Sequence, residues 1–113
     1  MDENTFLDLA DAEMARLEAA IERACDAADV DMDMESKPGG ILELEFEDGS
    51  KIIINRHAAA REIWVAARSG GFHYKPDPRP EGTRWVNTRD GEDLYVALAR
   101  VIGQQSGAAV SLS

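Results

Sequence analysis

The chain has 113 residues and a formal net charge of −10, a size that allows one domain with its own hydrophobic core. Residues 1–48 hold 16 acidic and 3 basic side chains, whereas residues 49–113 hold 6 acidic and 9 basic ones. This concentrated negative charge argues against DNA or RNA binding and favours metal cations or basic protein surfaces as partners, although it can also serve solubility alone.

Cysteine usage and hydropathy predict a cytoplasmic protein that does not enter a membrane. The only cysteine, Cys25, excludes an internal disulfide, and the N-terminus lacks a basic segment followed by an apolar one. Apolar runs such as residues 52–54 are far shorter than the roughly 20 residues of a membrane span.

The stretch from Phe6 to Glu35 predicts a long amphipathic helix followed by an acidic strand. The helix is expected to begin near Asn4 or Thr5, either of which can cap a first-turn amide. One stripe at helical spacing is apolar and predicts a core face, with Phe6 at its edge: Ala10, Met14, Leu17, Ile21, Ala24 and Ala28. A second stripe, about a third of a turn away, is acidic: Asp11, Glu18, Glu22, Asp26 and Asp29. Acidic and apolar residues then alternate from Asp29 to Glu35, which extends the negative surface past the helix as one continuous band.

Residues 36–88 predict short strands joined by tight turns. Residues 36–40 form a turn, and Leu42, Leu44 and Phe46 alternate with acids, which predicts one buried and one solvated face. The Asp48-Gly49 pair predicts a hairpin. The remaining expected segments are a return strand at 51–55, a connection at 56–61, strands at 62–67, 72–74 and 83–88, a turn at 69–71, and a proline-containing loop at 75–82.

A second helix is expected to follow Asp90, because this residue can cap the amide of Asp93 while Asp93 reaches back. The helix would bury Leu94, Leu98 and Val101, ending near residues 105–107 and leaving 108–113 as a tail. Tight turns require antiparallel pairing. The predicted fold class is therefore α+β: a two-layer αβ sandwich with two helices on one face of a mainly antiparallel sheet of five to six strands, and a single domain over residues 1–113.

Five single residues are candidates for a chemical or binding role. Trp64 is expected on the sheet face opposite the helices, where an exposed indole is an interaction anchor or, alternatively, a sheet-packing aromatic. Trp85 is expected to be structural, and His57 and His73 to be surface residues or auxiliary metal ligands. Cys25 is expected to be partly buried and a poor nucleophile, because no base flanks it.

Blocks of sequence across nearly the whole chain resemble bacterial frataxins of the CyaY type. They are Phe6, residues 9–11, Gly39-Gly40, residues 46–56, residues 63–66, residues 70–74, Trp85 and residues 89–92. The resemblance implies the αβ sandwich already inferred. It also implies a role in iron–sulfur cluster assembly, with weak binding of Fe²⁺ or Fe³⁺ by surface acids and docking on cysteine desulfurase and the scaffold protein.

Iron binding by this chain is expected to be weak and unselective. Carboxylate oxygens suit hard cations and accept Fe²⁺, but no His or Cys pair completes a cage, so other divalent cations can substitute. By the resemblance and the helical wheel, the expected metal set is Glu18, Glu22, Asp26, Asp29, Asp31 and Asp33, with Asp11 and Glu35 as extensions. The chain departs from the denser family pattern at Ala19, Arg23 and Cys25, where relatives often carry acids.

The leading hypothesis is a non-enzymatic, iron-binding regulator of cysteine desulfurase or iron donor. The expected partner-binding set is Asp11, Glu18, Glu22, Asn55, Arg56 and Trp64, on a monomer that can form oligomers with iron. One alternative is a slow ferroxidase that stores iron, although the sequence lacks the carboxylate–histidine cluster of four-helix iron proteins. Another is a protein-interaction module in which metal binding is incidental.

Overall fold

The computed structural model describes residues 1–112, in which two helices cover one face of a six-stranded sheet. The elements are α1 (Glu3–Ala27), β1 (Met32–Lys37), β2 (Ile41–Phe46), β3 (Lys51–His57), β4 (Glu62–Ala67), β5 (Gly70–Arg79), β6 (Gly82–Asn87) and α2 (Leu94–Ser106). Spatial strand order follows chain order, and every neighbouring pair is antiparallel. This confirms the predicted two-layer αβ sandwich. No helix in the described range is long and apolar enough to cross a membrane.

The core lies between the helices and the sheet, where the apolar stripe of α1 meets alternate residues of the strands. Leu17 and Ile21 of α1 and Leu44 of β2 are fully buried, as their spacing predicts. Phe6, placed by the sequence at the edge of the stripe, is also fully buried and meets Trp85 edge to face, with ring centroids 6.0 Å apart. Trp85 is therefore structural, as expected.

Both predicted helix starts are wrong by a few residues. Asp2 caps α1 by accepting a hydrogen bond from the Thr5 amide at 2.8 Å, so the helix begins at Glu3 and not at Asn4 or Thr5. At α2 the cap is Asp93, which accepts from the Tyr95 amide at 3.0 Å. Asp93 still pairs with Val86 beside the sheet, and the helix cannot begin until the chain has left that contact.

The proline-containing loop expected at residues 75–82 is instead a β-ladder. Pro76 lies opposite Trp85 and Pro78 opposite Thr83. Strand β4 pairs with β5 only as far as Tyr74, so the remainder of β5 has a neighbour on one side alone. Proline, which lacks an amide donor, is tolerated where no partner strand requires that donor.

The acidic strand is shorter than the alternation predicted, because α1 ends in a turn before β1 begins. Asp29 adopts a left-handed backbone conformation with φ of +54°, and the Val30 amide donates to the Cys25 carbonyl at 2.9 Å. Ala28 caps the helix and is only half-buried, which removes it from the predicted core stripe. The strand itself starts at Met32.

Candidate functional site

The carboxylates of α1 and β1 lie on two sides of the sheet edge that β1 forms. Met32 faces Phe46 across the β1–β2 ladder, on the helix side, whereas Asp33 faces Glu45 on the open side. Strand geometry sends successive side chains to opposite faces, so Asp31, Asp33 and Glu35 turn away from the helix carboxylates. The expectation of one continuous acidic band is corrected to two acidic surfaces that share an edge.

The first acidic surface borders a groove of about 290 Å³ between α1 and β1, here called the α1–β1 groove. Its helix wall is formed by Glu18, Glu22, Cys25 and Asp26, and its strand side by Val30, Met32, Met34 and Ser36. Glu22 and Asp26 are exposed and Glu18 is half-buried. Three of the six predicted metal ligands are thus brought to one groove.

The second acidic surface lies on the open face, where Asp31 and Asp33 share a depression of about 260 Å³ with Glu45 and Glu47. Here Asp33 stands directly across from Glu45, an arrangement that like charges make unfavourable. Asp29 is separate, because it lies in the turn after α1 and shares a wider cavity with Asp31 near the C-terminus of α2. The three strand-side ligands are therefore not a single cluster.

The six predicted metal ligands are not neutralised by the protein's own basic residues. Within residues 1–112, none of them forms an ion pair of 4.0 Å or less. Glu43 shows the contrast: Lys37 at 2.8 Å and Lys51 at 3.3 Å flank it and lower its pKa. In the same range no three His, Cys, Asp or Glu residues are close enough to enclose a metal ion, so a bound cation would keep part of its water shell.

Trp64 is on the open face of the sheet, as predicted, but both faces of its indole are covered. It stacks on His57 with centroids 3.8 Å apart and on His73 with centroids 4.2 Å apart. Its Nε1 donates to Glu62 Oε1 at 2.8 Å. The two imidazoles lie on opposite sides of the indole, so they cannot bind one metal ion together, and only the ring edges are left for a partner. Asn55 faces Trp64 across the β3–β4 ladder.

Arg56 does not share a surface with Asn55. It pairs across the ladder with Ile63, a buried residue on the helix side, and its guanidinium hydrogen-bonds to Asp11 of α1. Adjacent strand residues face opposite ways, so the predicted partner-binding set is divided. Asn55 and Trp64 lie on the open face, while the Arg56–Asp11 pair ties α1 to β3.

Glu13 is a buried carboxylate that the sequence reading missed. It is 4 % exposed and accepts hydrogen bonds from Trp85 Nε1 at 3.1 Å, from the Tyr95 hydroxyl, and from Arg16 Nη2 at 2.9 Å. Burial and the hydrogen bond to Glu13 raise the pKa of Tyr95. Glu13 lies three residues after Ala10, which places it beside the apolar stripe of α1. A charged residue at such a position needs partners, so its place on the helical wheel could have identified it.

Comparisons with known proteins identify the family of this chain. A family model described as the frataxin-like domain matches residues 1–108. A protein named "Iron-sulfur cluster assembly protein CyaY" from Cupriavidus pinatubonensis is 54% identical over 112 residues, covering 99% of this chain and 96% of the relative. A protein of the same name from Ralstonia nicotianae is 54% identical over 110 residues, covering 97% and 93%.

Solved structures share the fold along most or all of their length. The frataxin of Psychromonas ingrahamii superimposes with a TM-score of 0.77 at 30% identity, covering 100% of this chain and 99% of that one. A trimeric frataxin of the yeast Saccharomyces cerevisiae, described as complexed with ferrous, gives a TM-score of 0.69 at 25% identity, covering 88% and 86%. With the family model spanning residues 1–108, this chain belongs to the frataxin-like family.

Proposed function

We propose that this chain is an iron-binding protein of cytoplasmic iron–sulfur cluster assembly, a single frataxin-like domain that regulates cysteine desulfurase or donates iron. The observation that carries the proposal is that the chain belongs to the frataxin-like family. Relatives that are 54% identical to it are named as iron–sulfur cluster assembly proteins. The chain works by binding and not by catalysis of its own. The scattered arrangement of its carboxylates supports this part, because a ferroxidase centre needs ligands that converge on the metal.

The α1–β1 groove is the first iron site of this proposal, where Glu18, Glu22 and Asp26 bind the ion directly or through the waters that it keeps. Their charges are unpaired in the described part of the chain, and oxygen ligands accept Fe²⁺. Asp31 and Asp33 form a second site on the open face, with Asp29 at its border. Both sites are open to solvent, so iron exchanges readily and other divalent cations compete. Such loose holding suits a protein that passes iron on.

The same carboxylates also provide a docking surface for a basic patch on cysteine desulfurase. A basic partner that binds along the β1 edge would meet negative charge on both sides of the edge. The electrostatic attraction between the two proteins should weaken with salt, since exposed charges are screened within about 10 Å at 0.1 M ionic strength. The edge of Trp64 and the amide of Asn55 complete the contact on the open face, where the scaffold protein also binds. The chain is a monomer in this proposal, and iron shared between carboxylates of two copies gives oligomers.

An anaerobic Fe²⁺ titration by calorimetry and nuclear magnetic resonance tests the iron sites. The groove variant combines Glu18→Gln, Glu22→Gln and Asp26→Asn, and the open-face variant combines Asp31→Asn and Asp33→Asn. A control with the same charge change as the groove variant, but elsewhere, combines Glu3→Gln, Asp8→Asn and Glu81→Gln.

The proposal expects the groove variant to lose its tightest site and the control to keep it. Paramagnetic broadening in wild type should be confined to α1, β1, the turn between them and the part of β2 around Glu45, which lies opposite Asp33. Equal losses in the groove variant and the control would mean that only net charge matters, and the assigned ligands would be wrong.

A cysteine desulfurase assay with the scaffold protein tests the partner surface with the same variants, at several iron concentrations. The groove variant should bind the desulfurase more weakly and change its rate less than wild type does. Trp64→Ala should weaken the complex without changing Fe²⁺ binding. Unchanged desulfurase activity on adding wild-type protein, with or without iron, would refute the regulatory role.

A further inference from the structure

Three sulfur-containing residues also line the α1–β1 groove, and none of them is among the proposed iron ligands. Cys25 contributes a thiol, and Met32 and Met34 contribute thioethers. Cys25 is 2 % exposed and the two methionines are half-buried against the edge of the core. The groove therefore combines a rim of carboxylates with three sulfur-containing side chains, which are two different kinds of metal-binding chemistry.

The three residues lie on facing sides of the groove, Cys25 on α1 and the two methionines on β1. Met32 and Met34 are two residues apart on β1 and lie on the same face, opposite Phe46 and Leu44, so their Cα atoms are about 6.6 Å apart. Three rotatable bonds allow each thioether to move toward a common point. Cys25 approaches from the last turns of α1, and the hydrogen bond from the Val30 amide to its carbonyl, 2.9 Å long, ties that turn to the start of β1.

Sulfur ligands favour a different metal from the one that carboxylates favour. Thiolate and thioether are soft ligands that select Cu(I), whereas carboxylates suit harder cations such as Fe²⁺. The Cys25 thiol is buried, and a thiol that no base flanks keeps its proton at neutral pH and is a poor nucleophile. A soft cation can replace that proton, and the acids at the rim attract the cation to the groove.

We propose that the α1–β1 groove is a binding site for one Cu(I) ion, held by Cys25 Sγ, Met32 Sδ and Met34 Sδ. Binding forms the copper–thiolate bond, breaks the S–H bond and releases one proton to solvent, with no change of oxidation state. The site does not depend on the role in cluster assembly proposed above, because its ligands are the sulfurs and not the carboxylates. It gives the groove a specificity that iron binding by the rim does not have.

The test is an anaerobic Cu(I) titration against a chromogenic chelator, bathocuproine disulfonate, with the full chain. The variants are Cys25→Ser and the double substitution Met32→Leu and Met34→Leu. Met14→Leu is the matched control, since Met14 is a buried methionine of the same helix that does not line the groove. The groove variant Glu18→Gln, Glu22→Gln, Asp26→Asn separates this site from the iron site.

Wild type and Met14→Leu should each take one Cu(I) from the chelator. Loss of both thioethers should weaken binding by about tenfold or more, and Cys25→Ser should abolish it, because the hard hydroxyl replaces the soft thiolate. The groove variant should lose the Fe²⁺ site of the groove and keep Cu(I) binding. Copper retained by Cys25→Ser, or an affinity of the double variant within about twofold of wild type, would overturn the proposal.

X-ray absorption spectroscopy of the wild-type copper complex identifies the ligands without depending on whether any variant folds. Sulfur neighbours around copper are the expected result. A spectrum with only oxygen and nitrogen neighbours would overturn the proposal, whatever the chelator competition showed, because it would assign the ion to the carboxylate rim.

Discussion

Replacing Glu13 with alanine should destabilise the protein strongly, although Glu13 lies outside every proposed binding surface. Its carboxylate joins three elements, accepting from Trp85 of β6, Tyr95 of α2 and Arg16 of α1 itself. Alanine is well tolerated in helices, so the cost comes from the lost hydrogen bonds and packing and not from helix propensity.

The magnitude follows from which donors are left without an acceptor. The Trp85 indole is 2 % exposed and Tyr95 is half-buried, and each unsatisfied buried donor costs about 1–3 kcal/mol. The Arg16 side chain is 60% exposed and returns to water at little cost. Removing a buried charge recovers some desolvation free energy. We expect a net loss of about 3–5 kcal/mol in unfolding free energy, out of a total of about 5–15 kcal/mol.

Urea unfolding followed by far-ultraviolet circular dichroism measures this loss. Glu22→Ala, an exposed acid on the same helix, is the control and should change stability by no more than about 0.5 kcal/mol. Glu13→Gln keeps one acceptor oxygen and should fall between the two. An unfolding free energy for Glu13→Ala within about 1 kcal/mol of wild type would refute the argument that this carboxylate joins α1, α2 and β6.

Three further predictions concern stability and the open face. Gly40→Ala should cost about 1–3 kcal/mol of unfolding free energy, because Gly40 has φ of +74° and a Cβ there would lie 2.4 Å from Arg56 Nε; unchanged urea unfolding would contradict this. Since the pKa of Tyr95 is raised in the folded state, the unfolded chain loses its proton first, and stability should fall as pH rises above about 10; Tyr95→Phe should reduce that slope, and an identical slope would count against it. His73→Ala uncovers one face of Trp64, so acrylamide should quench the tryptophan fluorescence of this variant more readily than that of wild type. The surface variant Lys75→Ala is the control, and its fluorescence should be quenched to the same extent as that of wild type.

The sequence predicted the layers of this fold because periodicity determines which side of each element is buried. The stripe containing Leu17 and the alternation of Leu42, Leu44 and Phe46 gave the core face correctly. The prolines at 76 and 78 led to the wrong prediction of a loop. A missing amide donor is costly only where a neighbouring strand would accept from it, and the number of neighbouring strands is known only from the assembled sheet.

The candidate site was predicted less well than the fold, because a ligand set depends on where elements lie relative to one another. A helical wheel placed Glu18, Glu22 and Asp26 together, and they do line one groove. It could not show that Asp33 turns to the other sheet face. Nor could local spacing show that His57 and His73, from strands on either side of β4, enclose Trp64.

The acids along β1 can also be explained by protection of the sheet edge, without any binding function. An edge strand with unpaired backbone groups invites pairing with another chain, and charged side chains protect against it. Protection alone would be compatible with local neutralisation, as at Glu43, where Lys37 and Lys51 supply counter-charges. Asp33 and Glu45 face each other without any ion pair among residues 1–112, which costs stability. A cation or a basic partner would relieve that repulsion, so the uncompensated pair, more than the number of acids, supports the binding role proposed for this edge.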